Sequence, residues 1–224
     1  MNQKMLFADA VTEDYVKTIF HHTEWQPEPI TSSVLAARLG LAASSVTEMV
    51  KKLAAVGLVS HVPYGAITLT DEGRSRALTM VRRHRLIETW LVESFGYAWD
   101  EVHDEAEVLE HAVSDRLLDR IDASLGHPVR DPHGDPIPRA DGSIQVPDAV
   151  VLSLASAGHQ GQIVRISDRD PELLRYLDVR GFALDAPLEV VGPRPFGGAL
   201  EVRVAGVALD LGAEAAASVW ISRT

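Results

Sequence analysis

Residues 102–113 read as a helix with one apolar line and one ligand-rich side, and this pairing constrains the chain more than any other feature. At about 100° per residue, Val102, Ala106, Leu109 and Val113 fall on one line, while His103, Glu107, Glu110 and His111 share an arc of roughly 100° beside it. Acids and histidines on the wet side of a helix usually form only a solvated face. Here His103, Glu107 and His111 repeat at i, i+4 and i+8, and His84 and Glu88 stand four apart on the preceding helical segment. Two facing helices with such side chains can share metal ions, so a metal centre is the expectation.

Composition limits what that centre can be. The absence of cysteine excludes disulfides, thiolate zinc sites and iron–sulfur clusters, leaving oxygen and imidazole donors. At 224 residues the chain has room for one large domain or several small ones. No apolar run approaches the ~20 residues of a spanning helix, and Met1-Asn2-Gln3-Lys4 leads into an amphipathic segment without a signal-peptide core. The expectation is a soluble cytoplasmic protein with no membrane partner. A net charge of −11 argues against gripping nucleic acid by electrostatics alone. The acidic excess lies mostly beyond residue 75, because residues 1–75 hold six Lys/Arg against eight Asp/Glu. Cations held by a carboxylate cluster reduce that repulsion, so metal-dependent DNA binding suits this balance.

The N-terminal pattern is that of a helix-turn-helix with a wing. Thr12-Glu13-Asp14 signals the start of a first helix running to about His22, with Tyr15, Val16, Ile19 and Phe20 as its apolar face. A second helix spans Thr31 to Leu39 and ends at Gly40, and a third runs from Ser44 or Ser45 to Val56. Two β-prone runs, 57–62 and 66–70, flank a turn at Pro63-Tyr64-Gly65. Helices then cover 71–95, about 99–114 and 115–125, with more apolar surface than a winged domain needs, which predicts a homodimer interface matched to a two-fold operator. Prolines 128, 132, 136, 138 and 147 mark a linker, and four short β runs around a helix at 170–177 suggest a small SH3-like barrel. Such barrels can bind proline-rich segments, and residues 128–138 offer one within the chain. The predicted architecture is mainly α with β. Residues 1–75 form a winged helix-turn-helix DNA-binding domain and 76–126 a helical metal-binding and dimerisation domain. A proline-rich linker at 127–149 and an SH3-like (FeoA-like) domain at 150–224 complete the chain.

With this layout in place, the chain resembles the diphtheria toxin repressor family of metal-dependent transcription regulators, and within it the manganese-responsive branch that carries a C-terminal SH3-like domain. The resemblance covers nearly the whole length. It rests on Thr12-Glu13-Asp14-Tyr15, on Arg83-His84-Arg85-Leu86 with Glu88, on Val102 to His111, and on Asp131-Pro132-His133-Gly134-Asp135-Pro136-Ile137-Pro138. It implies a primary regulatory metal site of Asp14, Glu107, Glu110 and His111. It also implies an ancillary site of His84, Glu88 and His103, completed by Asp168, with Glu172 the weaker candidate for that last place. Iron-responsive members have methionine and cysteine where this chain has Asp14 and Glu107. Carboxylates there point to manganese(II), two sites per subunit, with iron(II) as second choice. Lys17 stands where shorter manganese regulators carry a second acidic ligand, which favours separate primary and ancillary sites.

The function implied is a manganese-dependent repressor of metal-ion homeostasis genes, in which metal sets the DNA-binding heads of a homodimer on double-stranded operator DNA. Recognition is expected from Ser44, Ser45, Thr47, Glu48 and Lys51, with Tyr64 in the wing. Two alternatives are an iron(II)-dependent repressor of the same family and a metal-independent winged-helix protein. An enzyme is not expected. Di-metal oxidases place Glu-x-x-His on each of two helices, whereas Glu107 is followed three later by Glu110; no hydrolase motif and no small-molecule substrate site is recognisable. His21, His22, His61, His127, His133 and His159 show no ligand partner at useful spacing. A chain ending near residue 140 is expected to keep metal-dependent DNA binding largely intact if Asp168 only tunes the ancillary site.

Overall fold

A computed structural model of the chain describes residues 3–223 other than 27, 63, 64 and 197, with side chains from residue 10 onward. The chain divides into two compact units, one within residues 1–83 and 138–143, the other within 84–137 and 144–224.

The first unit holds α1 (Gln3–Glu24), α2 (Ser32–Leu39), α3 (Ala43–Ala55), β1 (Val59–His61), β2 (Ile67–Leu69) and the first half of α4 (Asp71–Phe95). Thr31 caps α2 by accepting from the Val34 amide, and Gly40 stops it in a left-handed conformation at φ +64°. α3 begins three residues later and buries Val46, Val50 and Leu53. β1 and β2 pair antiparallel, Val59 opposite Leu69 and His61 opposite Ile67. Thr70 locks the start of α4. Its hydroxyl donates to the Gly57 carbonyl at 2.6 Å and accepts from the Gly73 amide at 3.1 Å. Gly73 is there for space, since a Cβ would lie 1.9 Å from the Leu58 carbonyl oxygen. The three helices and two-stranded wing are those the sequence pattern predicts. One boundary differs: α1 starts at Gln3, so Thr12-Glu13-Asp14 lies inside the helix, because the good helix formers Met5, Leu6, Ala8 and Ala10 carry it further back.

In the second unit, the rest of α4 packs with α5 (Val102–Glu110) and α6 (Asp115–Ser124) over Leu86, Ile87, Val102, Ala106 and Ile121. α5 is shorter than the expected 99–114. Trp99 is diverted into the barrel core, whereas His111 caps the helix with helical dihedrals and so keeps its place in the pattern. The barrel follows as β3 (Ala149–Val151), β4 (Gln160–Ile166), α7 (Pro171–Asp178), β5 (Pro187–Pro193), β6 (Leu200–Val204), β7 (Val207–Leu211), α8 (Ala213–Ala217) and β8 (Val219–Ser222). Its antiparallel order is β3-β8-β4-β5-β6-β7, the SH3-like sheet expected. β3, α8 and β8, at three to five residues each, are too short to show a period in sequence. A bulge between Ile163 and Arg165 breaks the alternation of β4, so that Arg165 turns inward beside Ile166.

The proline segment departs from a free linker. Residues 131 and 133–138 are buried, and the loop lies against β4: the Ile166 amide donates to the His133 carbonyl at 2.9 Å. The contact is polar and ionic, unlike a polyproline helix in an aromatic groove. Among the described residues no single helix is long and apolar enough to cross a membrane.

Candidate metal centre and DNA-binding face

The second unit gathers imidazoles and carboxylates from three elements. α4 supplies His84 and Glu88 one turn apart, α5 supplies His103, Glu107 and Glu110, and Asp168 follows β4. His84 Nδ1 donates to Glu110 Oε2 at 2.6 Å. In the neutral ring this turns the Nε2 lone pair toward Glu88 Oε1 at 3.0 Å and His103 Nδ1 at 3.2 Å. His103 Nδ1 also lies 3.3 Å from Glu88 Oε1 and 3.5 Å from Asp168 Oδ2. His84 Nε2, Glu88 Oε1 and His103 Nδ1 therefore converge at 3.0–3.3 Å from one another, and Asp168 Oδ2 approaches this trio through His103. An octahedral ion about 2.1 Å from its ligands spaces neighbouring ligands about 3.0 Å apart, so the residues fit a divalent cation. The carboxylate behind His84 is the partner that orients a metal-bound imidazole.

Burial by itself would push the Glu88 carboxyl up. When His84 is protonated, its charge, the hydrogen bonds from His103 and from His84 itself and the charge on His133 outweigh it, and Glu88 stays well below the usual carboxylate range. For His103, burial works downward, yet the hydrogen bond to Glu88 and the charges of Asp168 and Glu88 raise its affinity for a proton. Both groups are thus tuned by attraction between opposite charges, the environment a cation would reinforce.

A second cluster abuts the first. Glu88, Asp131 and His133, all buried, bring ligand atoms within 4.8 Å of one another. His133 Nε2 donates to the Trp99 carbonyl at 2.7 Å, and the indole and imidazole stack at 6.0 Å. Nδ1 is buried, 4.0 Å from Asp131 Oδ1, with no hydrogen-bond partner. A lone pair held toward carboxylates needs a proton or a cation between them. Although burial opposes it, Asp131, Glu88, Asp168 and the Trp99 carbonyl raise His133 to about 8. Burial and the charge of Asp135 push Asp131 up to about 7. The sequence reading found His133 no partner at useful spacing; the structure sets it beside Asp131 and Glu88. The missed signal is local: a histidine two residues from an aspartate on either side, between prolines and a glycine.

The loop holding His133 is built for rigidity. Asp131 Oδ1 accepts from the His133 and Asp135 amides at 2.8 and 3.0 Å. Arg85, next to His84 on α4, donates to the Pro136 carbonyl at 2.7 Å and lies 3.6 Å from Asp131 and 3.4 Å from Asp135. Arg165 donates from Nε to Asp135 at 2.7 Å. Gly134, at φ +92°, leaves no space for a Cβ, which would meet the Val164 carbonyl oxygen at 2.0 Å. Among the described residues of this unit, buried Glu88, Glu110, Asp131 and Asp135 face only two buried guanidiniums, Arg85 and Arg165. The interior thus carries an excess of carboxylate, which protons or cations must offset.

The remaining expected ligands are placed as follows. Glu107 Oε1 lies 3.7 Å from His103 Nε2, and Glu107 groups with His84 and Glu110. His111 Nε2 lies 3.4 Å from Glu110 Oε1, its side chain a quarter exposed. Asp14 sits half-buried on α1 in the first unit. Asp168, rather than the exposed Glu172, reaches His103. On α3, Ser44, Ser45, Glu48 and Lys51 are exposed, opposite the buried line. Thr47 is half-buried and its hydroxyl donates to the Ala43 carbonyl at 2.8 Å. Tyr64 lies outside the described residues.

A winged helix-turn-helix, a helical unit with a His–carboxylate centre and an SH3-like barrel define a metal-responsive DNA-binding regulator. Residues 9–67 match the N-terminal DNA-binding domain of iron-dependent repressors, 70–139 their metal-binding and dimerisation domain, and 150–223 the FeoA domain. The chain belongs to the iron-dependent repressor family, that of the diphtheria toxin repressor. It is 38% identical over 109 residues to an uncharacterised HTH-type transcriptional regulator of Methanocaldococcus jannaschii, covering 49% of this chain and 87% of the relative. It is 35% identical over 127 residues to the iron-dependent repressor IdeR of Mycobacterium tuberculosis, covering 57% of this chain and 55% of that repressor. Against IdeR, then, the match spans just over half the relative's length. A solved manganese-dependent transcriptional repressor in complex with manganese superposes with a TM-score of 0.91 at 51% identity, covering 95% of this chain and 100% of that one. The manganese regulator SloR superposes at 0.80 with 32% identity, covering 95% and 98%.

Proposed function

We propose that this protein is a manganese(II)-dependent repressor that binds operator DNA as a homodimer and controls genes of metal-ion homeostasis. The observation that carries the reading is the meeting of His84 Nε2, Glu88 Oε1 and His103 Nδ1 at 3.0–3.3 Å, with Asp168 Oδ2 3.5 Å from His103 Nδ1. This donor set has no sulfur, and hard carboxylate oxygens with imidazole suit manganese(II) or iron(II). These four residues would hold one ion, with Glu88 shared toward Asp131 and His133. Asp14, Glu107, Glu110 and His111 are the proposed ligands of a second, through which the first unit would respond to metal. Bound divalent metal supplies positive charge that offsets the buried carboxylates. Exposed Phe95, Val108 and Leu117 on α4–α6 suit a homodimer interface.

The test is binding to the protein's own promoter DNA at fixed low salt, titrated anaerobically with manganese(II) or iron(II). Manganese-dependent binding that His84→Ala weakens and Asp14→Met weakens or redirects to iron is expected. Binding indifferent to both metals would leave a metal-independent winged-helix protein.

A further inference from the structure

The sharpest anomaly on the DNA-binding face is an acid at its centre. On α3 the exposed residues Ser44, Glu48 and Lys51 form one stripe, directly opposite buried Val46, Val50 and Leu53. Glu48 is two-thirds exposed, and Lys51 Nζ donates to its Oε1 at 2.8 Å. That ammonium holds the carboxyl below its usual range, so Glu48 stays ionised. Phosphates repel a carboxylate, and with six Lys/Arg against eight Asp/Glu in residues 1–75 the surroundings do not offset the repulsion. A carboxylate is also acceptor-only, so the one DNA surface that welcomes it is a base-edge amino group in the major groove.

Resting on the DNA-binding reading above, we infer that Glu48, held by Lys51, reads cytosine and makes a C·G pair a fixed element of each operator half-site. Cytosine presents a lone N4 donor, whereas adenine sets an N7 acceptor beside its N6 amino group, which a carboxylate cannot satisfy. The partner guanine presents O6 and N7 acceptors, to which the remaining Lys51 N–H groups donate. The neighbours do not duplicate this reading. The Thr47 hydroxyl is spent on Ala43, leaving its methyl for apolar contact, and Ser44, one turn earlier at the helix start, suits a phosphate.

The experiment is selection from a random pool of DNA duplexes by the full-length protein saturated with manganese(II), in parallel for the parent, Glu48→Gln, Glu48→Ala and Lys51→Ala. The expected parental consensus has one invariant C·G pair per half-site, whose replacement weakens binding roughly tenfold or more. Glu48→Gln shifts that pair to A·T, because an amide satisfies N6 and N7 together. Glu48→Ala removes the preference there and leaves the other positions unchanged, while Lys51→Ala weakens binding with cytosine retained. Identical consensus sequences for parent and both Glu48 variants would overturn the inference while leaving the repressor reading intact. Enrichment of no sequence by the parent would overturn both.

Discussion

At the scale of single residues, Arg85 has the most to lose. Its guanidinium is 2% exposed and faces Asp131, Asp135 and the Pro136 carbonyl. Removing one member of a buried charge network leaves the others desolvated and unpaired, a cost of about 3–5 kcal/mol. Arg85→Leu should therefore lower the unfolding free energy measured by urea titration by that amount, and manganese should restore part of it, since ligand binding stabilises the native state. His133→Ala should instead fold normally and bind less manganese per subunit, measured by equilibrium dialysis; unchanged stoichiometry would return His133 to a structural role. His84, Glu88 and His103 were legible because helical spacing repeats them on one side. Asp131 and His133 were not, because a turn has no period and their partner Glu88 lies more than forty residues earlier.

At the scale of elements, two glycines show where backbones meet. Gly134→Ala must move the loop off β4, because a Cβ would sit 2.0 Å from the Val164 carbonyl and φ is +92°. The expected loss is roughly 2–3 kcal/mol of stability together with weaker manganese binding, since Asp131 and His133 flank the contact. Gly73→Ala drives the start of α4 from Leu58 and should lower the unfolding free energy, measured by urea titration, by about 1–3 kcal/mol. Its manganese stoichiometry should be unchanged, because the ligands of the second unit are untouched. The sequence placed α2, α3, the wing, α4 and four barrel strands nearly to the residue, through Thr31, Gly40 and the alternating apolar runs. It overextended α5 at both ends, because periodicity alone does not show that Trp99 packs against the barrel core.

At the scale of the whole molecule, the barrel is more than an appendage. Trp99 packs against its core, Arg165 pairs with Asp135, and Arg175 donates to Asp100 at 2.7 Å. The sequence reading expected a chain ending near residue 140 to keep metal-dependent DNA binding largely intact if Asp168 only tunes the ancillary site. The structure gives the barrel a larger part in supporting that site. Without the barrel, Asp168 is lost, Asp135 loses a buried partner and the loop carrying His133 loses its support on β4. Manganese titration of the shortened chain, followed by isothermal calorimetry, should show the His84–Glu88–His103 site weakened tenfold or more; unchanged affinity would make the barrel dispensable.

By itself the sequence determined the order of winged helix, helical region and barrel, the helical spacing of the candidate ligands and the absence of cysteine donors. These follow from local rules: period, capping and the absence of sulfur. Only the tertiary structure brought Asp168 rather than Glu172 beside His103, folded a proline segment into an interior loop, and set His133 beside Asp131 and Glu88. Each of these depends on charged side chains far apart in the chain pairing where water is largely excluded, and such pairing has no period along the chain.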